Sequence, residues 1–498
     1  MIDSVYEKLR LSPQASFRVG DGATTDLPAE TLLGKAAALA DDLRDSGSTT
    51  VALHADNGVD WIVADLACDR AGIAIVPLPP FFSLDQVRSV LSSSGVDTLL
   101  TDRAEWFAAN FDFAGPARPA AGTHGLHLQQ LKGAAAGVLP AGTNKITYTS
   151  GTTGSPKGVC LSAANQLNVA RSLIEATGLT EPRHLCTLPL ATLLENIAGV
   201  YAPLLAGGTV IAPSLSTLGF NGSSQLDLPR FVQVISDVRP DSLILVPETL
   251  RMLVLAVHRG WQPPDSLRFV AVGGGKVAAA LIHEARASGL PVYEGYGLSE
   301  CASVVSLNSA AGDLPGSVGR PLPHLSVRIE DDEIVVDGAS HLGYVGEPES
   351  WGKDVVRTGD IGHVDADGRL FIDGRRKNVL ISSYGRNISP EWVEGELLAG
   401  FMLRHAWVFG DAEPFCVALI VPASPSVSDQ HVESWISKVN SQLPNYARIA
   451  KWHRLDPDVD DLSKLLTANG RARRDLIATR FQPVLDAMYQ PIRKESMK

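Results

Sequence analysis

Little in this chain of 498 residues points to covalent bracing, secretion, membrane insertion or nucleic acid. Its five cysteines (Cys68, Cys160, Cys186, Cys301, Cys416) are scattered and form no C-x-x-C pair. That excludes a disulfide framework and reads as reduced, buried thiols of a cytosolic protein. Basic residues are in deficit, and the formal net charge of -12 argues against nucleic acid as the main partner. The start, Met1-Ile2-Asp3-Ser4, has neither a basic n-region nor an apolar h-region, so no secretion signal is expected and a cytoplasmic location is. No apolar run reaches the length of a membrane span. Leu185 to Val210 is the greasiest stretch, but Pro189, Glu195, Asn196 and Pro203 interrupt it, and it reads as core and pocket wall. Internal repeats and long low-complexity tracts are absent as well.

What remains is ordinary globular composition, 45% hydrophobic and 20% charged, in a chain too long for one core. The first half alternates helical and strand-like patterns. Leu32–Leu43 and Asp60–Ala71 read as helices, and Thr50–Leu53 and Ile73–Pro77 as buried strands. Ser242–Pro247 and Arg268–Val272 continue the series as short apolar runs between turn residues. This is the pattern of α/β layers with parallel strands. Around Glu330–Asp337 and Arg369–Ile372 it changes to alternating strands, and beyond them the chain is more charged, as in a smaller α+β unit. The expected division is a large multi-layer α/β domain over 1–374, a boundary at 375–378 and a small α+β domain over 379–498. Ala117–Gly142, rich in Ala and Gly, is expected to be a surface loop leading into the next strand.

The most informative segment is Thr147-Tyr148-Thr149-Ser150-Gly151-Thr152-Thr153-Gly154-Ser155-Pro156-Lys157-Gly158-Val159. Two strand-forming residues empty into a run of hydroxyls and glycines that closes on a proline, a lysine and another glycine. Glycines let backbone N–H groups turn inward around an anion, hydroxyls add donors, and Lys157 adds charge against phosphate oxygens. A Walker A loop is excluded, because there Gly-Lys-Ser/Thr opens a helix, whereas here Pro156 precedes the lysine. A flexible Gly/Ser linker would need neither the flanking strand nor a fixed lysine.

Four further segments carry chemistry. Gly295-Tyr296-Gly297-Leu298-Ser299-Glu300 puts an aromatic that can stack on a purine, a hydroxyl, and a carboxylate that can hold Mg²⁺ on one glycine-flanked turn. Arg357-Thr358-Gly359-Asp360 sets an acid behind a tight turn, suited to ribose hydroxyls. Asp373-Gly374-Arg375-Arg376-Lys377 supplies fixed cations, and Ser382-Ser383-Tyr384-Gly385-Arg386-Asn387-Ile388-Ser389-Pro390-Glu391 is a second glycine-bearing loop that opens a helix. Singly, Tyr296 could be a core aromatic, Asp360 a turn acid and Arg375 a solvated charge.

In this order the segments resemble the adenylate-forming superfamily of acyl-CoA synthetases, luciferases and nonribosomal-peptide adenylation domains. The resemblance spans nearly the whole chain, from Asn57, Trp61, Gly72 and Val76-Pro77 to Thr467-Ala468-Asn469-Gly470. Gly273-Gly274-Gly275-Lys276 and Gly385 to Glu391 are most similar to fatty acyl-CoA synthetases. The resemblance implies an enzyme in which a carboxylate attacks the α-phosphorus of ATP, giving an acyl-adenylate and pyrophosphate. A thiol then displaces AMP. It implies that Thr149, Ser150, Gly151, Thr152, Thr153, Gly154 and Lys157 hold the β- and γ-phosphates, and that Glu300 holds Mg²⁺. Ser299 contacts the α-phosphate where the family usually has threonine. Tyr296, next to Gly297, stacks on adenine opposite Gly273, Gly274 and Gly275, and Asp360 and Arg375 bind the ribose. Lys377 lies where the family pivots a mobile C-terminal domain, and Gly385 where pantetheine threads, unless it only makes a turn.

Two departures qualify this picture. The family lysine that bridges the substrate carboxylate and the α-phosphate is replaced by Arg471, whose planar fork differs from an ammonium point charge. Arg471 can substitute for it, Lys464 can reach in instead, or adenylation is impaired and a nucleotide-binding homologue results. In Leu188-Pro189-Leu190-Ala191-Thr192-Leu193-Leu194-Glu195-Asn196, Thr192 stands where the fatty-acid branch often has histidine. Thr192 and Glu195 are the acid-pocket candidates, Glu195 being equally readable as a buried structural acid. No aspartate that could pair an α-amino group stands near Pro247, so an apolar acid is expected. The expected partners are a small carboxylic acid and coenzyme A. The alternative acceptors are the phosphopantetheine of an acyl carrier protein, or an amine.

Overall fold

In the computed structural model, residues 4–11, 17–22, 26–133, 137–149, 157–221, 225–338, 340–457, 460, 462–466 and 472–493 are described. The alternation read from the first half becomes two sheets. A nine-stranded sheet has a parallel centre of Thr209–Ile211, Arg183–Leu185, Ser242–Leu245, Phe269–Val272 and Val292–Tyr296. An eight-stranded sheet contains Thr98–Thr101, Thr50–His54, Ala74–Pro77 and Lys145–Thr149 as parallel neighbours, with Lys157–Leu161 returning antiparallel.

Both faces of each sheet are covered, so its strands read as continuous apolar runs. Successive residues point to opposite cores. Phe269 and Leu243 illustrate this: Phe269 joins the core between the sheets, while Val270, Leu243 and Leu185 join the core on the outer face. The helices Ala29–Asp45, Val59–Ala71 and Ala163–Thr177 fill the layer between the sheets. Val59–Ala71 is buried from Trp61 to Asp69, as a helix covered on all sides must be. Leu228–Val238, Pro247–His258 and Ala279–Ala287 cover one outer face. The result is five layers, α–β–α–β–α.

The Ala117–Gly142 stretch is not a plain surface loop. It contains the strands Arg118–Pro119 and His127–Gln130, the latter antiparallel to Thr98–Thr101 at the rim of the eight-stranded sheet. Leu128 and Gln129 are buried there, and four polar-leaning residues in Ala/Gly surroundings carry no strand periodicity to see.

The alternating segments beyond 320 form an antiparallel four-stranded sheet of Leu325–Glu330, Glu333–Gly338, Val355–Val364 and Leu370–Arg375. Arg376–Asn378 make a short 3₁₀ turn. Beyond it lies a smaller α+β unit with the strands Leu403–Phe409, Cys416–Pro422 and Ile449–Arg454 and the helices Pro390–Leu398, Asp429–Gln442 and Arg474–Arg493. This unit rests on the large one through Arg251, which donates to the carbonyls of Leu398 at 2.8 Å and Leu403 at 3.4 Å. Lys276 also reaches the strand before the 3₁₀ turn, donating to the Ile372 carbonyl at 2.7 Å. All five cysteines are free and buried, and no described helix is long and apolar enough to cross a membrane.

Candidate active site

In an open parallel sheet, ligands bind beyond the carboxyl ends of the strands. Here neighbouring strands deliver their candidate residues to that edge. Arg183–Leu185 runs into the Leu188–Glu195 segment and Ser242–Leu245 into Val246-Pro247. Phe269–Val272 runs into Gly273–Gly275, and Val292–Tyr296 into Gly297–Glu300. These loops touch. The Gly273 amide donates to the Leu245 carbonyl at 3.2 Å, and a methyl on Gly273 would lie 3.1 Å from the Gly295 carbonyl oxygen. At Gly297 a methyl would sit 1.6 Å from the Ser303 carbonyl oxygen, so only glycine lets the chain turn there. The turn that follows holds Ala302 at φ 50° and Ser303 at φ 97°, left-handed backbone of the kind that concentrates at functional sites.

Tyr296, Asp360 and Arg375 converge. The Tyr296 hydroxyl donates to Asp360 Oδ2 at 2.5 Å, and Arg375 Nε pairs with Asp360 Oδ1 at 2.7 Å. Asp360 and Arg375 face each other in register on adjacent strands, which fixes the pair without any loop. The Asp360 amide donates to the Thr358 hydroxyl at 3.0 Å, and Asp360 is 3% exposed. Burial, and then the neighbouring Asp360 carboxylate, push the Tyr296 phenol well above its usual range, so it stays a neutral donor.

The hairpin Lys145–Thr149/Lys157–Leu161 places Lys157 opposite Thr149 at the foot of the glycine-rich loop. Ser150, Gly151, Thr152, Thr153 and Gly154, and the side chain of Thr149, lie outside the described residues. Lys157 Nζ contacts both Glu347 oxygens, at 2.9 and 3.3 Å, and lies 4.9 Å from the centre of the Tyr344 ring. The same tyrosine donates its hydroxyl to Glu300 Oε1 at 2.9 Å. Glu300 follows the half-buried Ser299 on a single 3₁₀ turn, and its carbonyl accepts the His341 amide at 2.7 Å. Tyr344 therefore joins two residues that the sequence could only name separately.

At the acid side, Thr192 is half-buried, and its amide donates to the Pro189 carbonyl at 2.8 Å. Glu195 is fully buried and its contacts are internal. Oε1 pairs with His184 Nε2 at 3.0 Å, and Oε2 accepts the amides of Leu188 at 2.8 Å and Thr187 at 3.3 Å. Val246 and Pro247 begin the helix Pro247–His258 against Gly274 and Gly275, leaving this wall apolar.

Lys377 lies exposed in the 3₁₀ turn between the two units. Partial burial of its ammonium, and then the nearby Arg375, lower its pKa. Gly385 is exposed at φ 72° in the turn between Leu380–Ile381 and Asn387–Ile388, a conformation that itself favours glycine. Arg471 and the side chain of Lys464 lie outside the described residues. Sequence reasoning passed over Tyr344, Glu347 and His184, and gave Asn57 no role. Their partners are distant in sequence: Glu347 meets Lys157 from 190 positions away.

Known proteins converge on the same reading. A family model for AMP-binding enzymes matches residues 30–347, and one for the AMP-binding enzyme C-terminal domain matches 377–493. The long-chain-fatty-acid–CoA ligase FadD15 of Mycobacterium tuberculosis is 27% identical over 97% of this chain and 96% of its own length. The feruloyl-CoA synthase of an Amycolatopsis species is 30% identical over 86% and 90%. Among solved structures, the anthranilate CoA ligase AuaEII with anthranoyl-AMP shares the fold at a TM-score of 0.78 over 96% of this chain and 97% of that one, at 17% identity. The Bacillus subtilis O-succinylbenzoate coenzyme A synthetase with AMP shares it at 0.75 over 95% and 98%, at 24% identity. With family models covering both of its units, the chain belongs to the AMP-binding enzyme family, and with it to the adenylate-forming superfamily of acid–thiol ligases.

Proposed function

We propose that this protein joins a hydrophobic carboxylic acid, fatty or aryl, to coenzyme A at the expense of ATP. The observation that carries this is the pair of clusters Lys157–Tyr344–Glu300 and Tyr296–Asp360–Arg375, which gather the residues suited to phosphates and to ribose. Asp360 accepts from the ribose hydroxyls with Arg375 beside it, and Tyr296 packs on the base against the bare backbone of Gly273–Gly275. Lys157 draws the β- and γ-phosphates toward the glycine-rich loop. The Ser299 hydroxyl meets the α-phosphate, and the Glu300 carboxylate is a hard oxygen donor that fits Mg²⁺, which would neutralise phosphate charge there.

In the first half-reaction a carboxylate oxygen forms a bond to the α-phosphorus as the bond to the bridging oxygen breaks and pyrophosphate leaves. In the second, the coenzyme A sulfur, having given up its proton, attacks the acyl carbon and AMP departs with the electron pair. Both halves depend on positioning and charge neutralisation more than on proton transfer. An apolar acid fits the Leu188–Leu190 and Val246-Pro247 walls, and the relatives named for fatty and feruloyl substrates support that class. Lys377 as pivot, Gly385 as the thiol passage and Arg471 as the bridging cation belong to this same reading.

The test is AMP release from ATP and Mg²⁺ across a panel of fatty and aryl acids, with and without coenzyme A. AMP and acyl-CoA appearing only with both is the expected result. Pyrophosphate exchange without acyl-CoA would transfer the acceptor role to a carrier protein or an amine.

A further inference from the structure

A buried carboxylate is costly unless hydrogen bonds and charge meet it, so the contacts of a fully buried one show what holds it in place. Those of Glu195 form a chain. Ser242 Oγ and His184 Nδ1 are 2.9 Å apart, His184 Nε2 and Glu195 Oε1 3.0 Å, and Glu195 Oε2 ends the chain on the amides of Thr187 and Leu188. Those amides lie where the chain leaves the Arg183–Leu185 strand for the Leu188–Leu194 segment. From the other side, Asn57 donates to the Leu188 carbonyl at 2.8 Å and accepts the Leu190 amide at 2.7 Å. The backbone here is satisfied by side chains instead of a ladder, so its path depends on them.

The surroundings are built for this contact. Glu195 opens a π-helical segment, Glu195–Tyr201, an uncommon conformation that is frequent at functional sites. At Gly199 a methyl would come within 2.1 Å of Glu195 Oε1 and 2.8 Å of His184 Nε2, so the missing side chain makes room for the pair. The next residue faces the other way. Asn196 donates to Asp65 Oδ2 at 2.9 Å, and Asp65 pairs with Lys145 at 2.8 Å. Lys145 begins the strand that runs into the glycine-rich loop. One wide helical turn is thus tied to the acid-side segment by Glu195 and to the root of the phosphate strand by Asn196.

We propose that Glu195, oriented by His184 and Ser242, is a positioning residue for the acid substrate, clamping the Thr187–Leu190 backbone that forms the wall at its carboxylate end. This rests on the ligase reading above. Glu195 does not touch the acid. It sets where the wall stands relative to the phosphates, and a displacement of about an ångström in such a wall can cost on the order of a hundredfold in rate.

The experiment measures kcat and KM for acid and for ATP in the wild type, Glu195→Met, Glu195→Gln and Ser242→Ala. Met keeps the length and removes both acceptors, and is expected to raise KM for the acid about tenfold while leaving KM for ATP within about twofold. Gln can keep its oxygen on the two amides and turn its NH₂ to His184 Nε2, with the imidazole proton moving to the Ser242 side, so near wild-type values are expected. Ser242→Ala, which removes only the far end of the chain, is expected to raise the acid KM about threefold and carries the test if Met does not fold. An unchanged acid KM in the Met and Ser242→Ala variants would overturn the clamp, as would equal rises for acid and ATP. Stoichiometric zinc in the purified protein would overturn it too, since His184, Cys186 and Glu195 bring their ligand atoms within 4.8 Å of one another. Wild-type silence on every acid would instead fail the ligase reading itself.

Discussion

The Tyr344 hydroxyl donates to Glu300 at 2.9 Å while the ring of the same residue lies against Lys157, 4.9 Å from its ammonium. One side chain thus orients the acid proposed for Mg²⁺ and supports the cation proposed for the phosphates. Replacing Tyr344 with Phe keeps the ring and removes the hydroxyl. The expected outcome is a rise in the Mg²⁺ concentration for half-maximal AMP formation, by about three- to tenfold, with KM for the acid unchanged. A magnesium titration of the initial rate checks this, and an unshifted titration would remove Tyr344 from the account.

Glu347 occupies Lys157, the cation proposed for the phosphates. Their ion pair is about half exposed on the lysine side, and exposed pairs contribute on the order of 0–1 kcal/mol. Glu347→Gln is therefore expected to leave the melting temperature nearly unchanged and to lower KM for ATP by about two- to fivefold. Repeating the measurement at high salt should shrink the difference, because screening already weakens the exposed pair in the wild type.

Burial raises the Glu294 carboxyl to about 7, opposed by the charge of Lys276 and the Val277 amide. Because the folded pKa lies above the unfolded one, both states are protonated at low pH. The cost of ionising Glu294 inside the fold then grows from about pH 4.5 to about pH 7 and stays constant above. Glu294→Gln should therefore stabilise the protein at pH 8, by up to about 3 kcal/mol, and give no gain near pH 4. Denaturant titrations at the two pH values decide it; equal effects at both would show that the carboxyl is ordinary.

Arg471 is the residue proposed above as the bridging cation. Arg471→Ala should depress adenylation by about a hundredfold while sparing thiolation of a supplied acyl-adenylate. Arg471→Lys should equal or exceed the wild type in pyrophosphate exchange. Equal loss of both half-reactions in the alanine variant would show that Arg471 has no role specific to adenylation.

Lys157, Glu300, Asp360 and Arg375 were legible because each stands in a short stretch whose glycines, hydroxyls and charges have a local purpose. The parallel strands were legible for a similar reason, since burial on both faces leaves unbroken apolar runs such as Ser242–Leu245. Tyr344 and Glu347 acquire meaning only when the Gly343–Tyr344 strand pairs with Val159–Cys160, a long-range event that no spacing announces. His184 was hidden in the same way, since its partners Ser242 and Glu195 lie on other elements. The His127–Gln130 strand escaped because four residues at a sheet rim are too few for a period to show.

The contact between Arg251 and the Leu398 carbonyl has an architectural meaning. The last carbonyls of a helix have no partner within it, and a cation there completes the end. For Pro390–Leu398 that cation comes from the helix Pro247–His258 of the other unit, one of whose ends borders the acid-side wall. The small unit finishes only part of its own first helix: Trp435 donates to the Leu397 carbonyl at 2.8 Å, and Arg251 supplies the donor for Leu398. Turning it away from the large one leaves the Leu398 carbonyl to water, so the orientation of the two units is felt at the last turn of Pro390–Leu398.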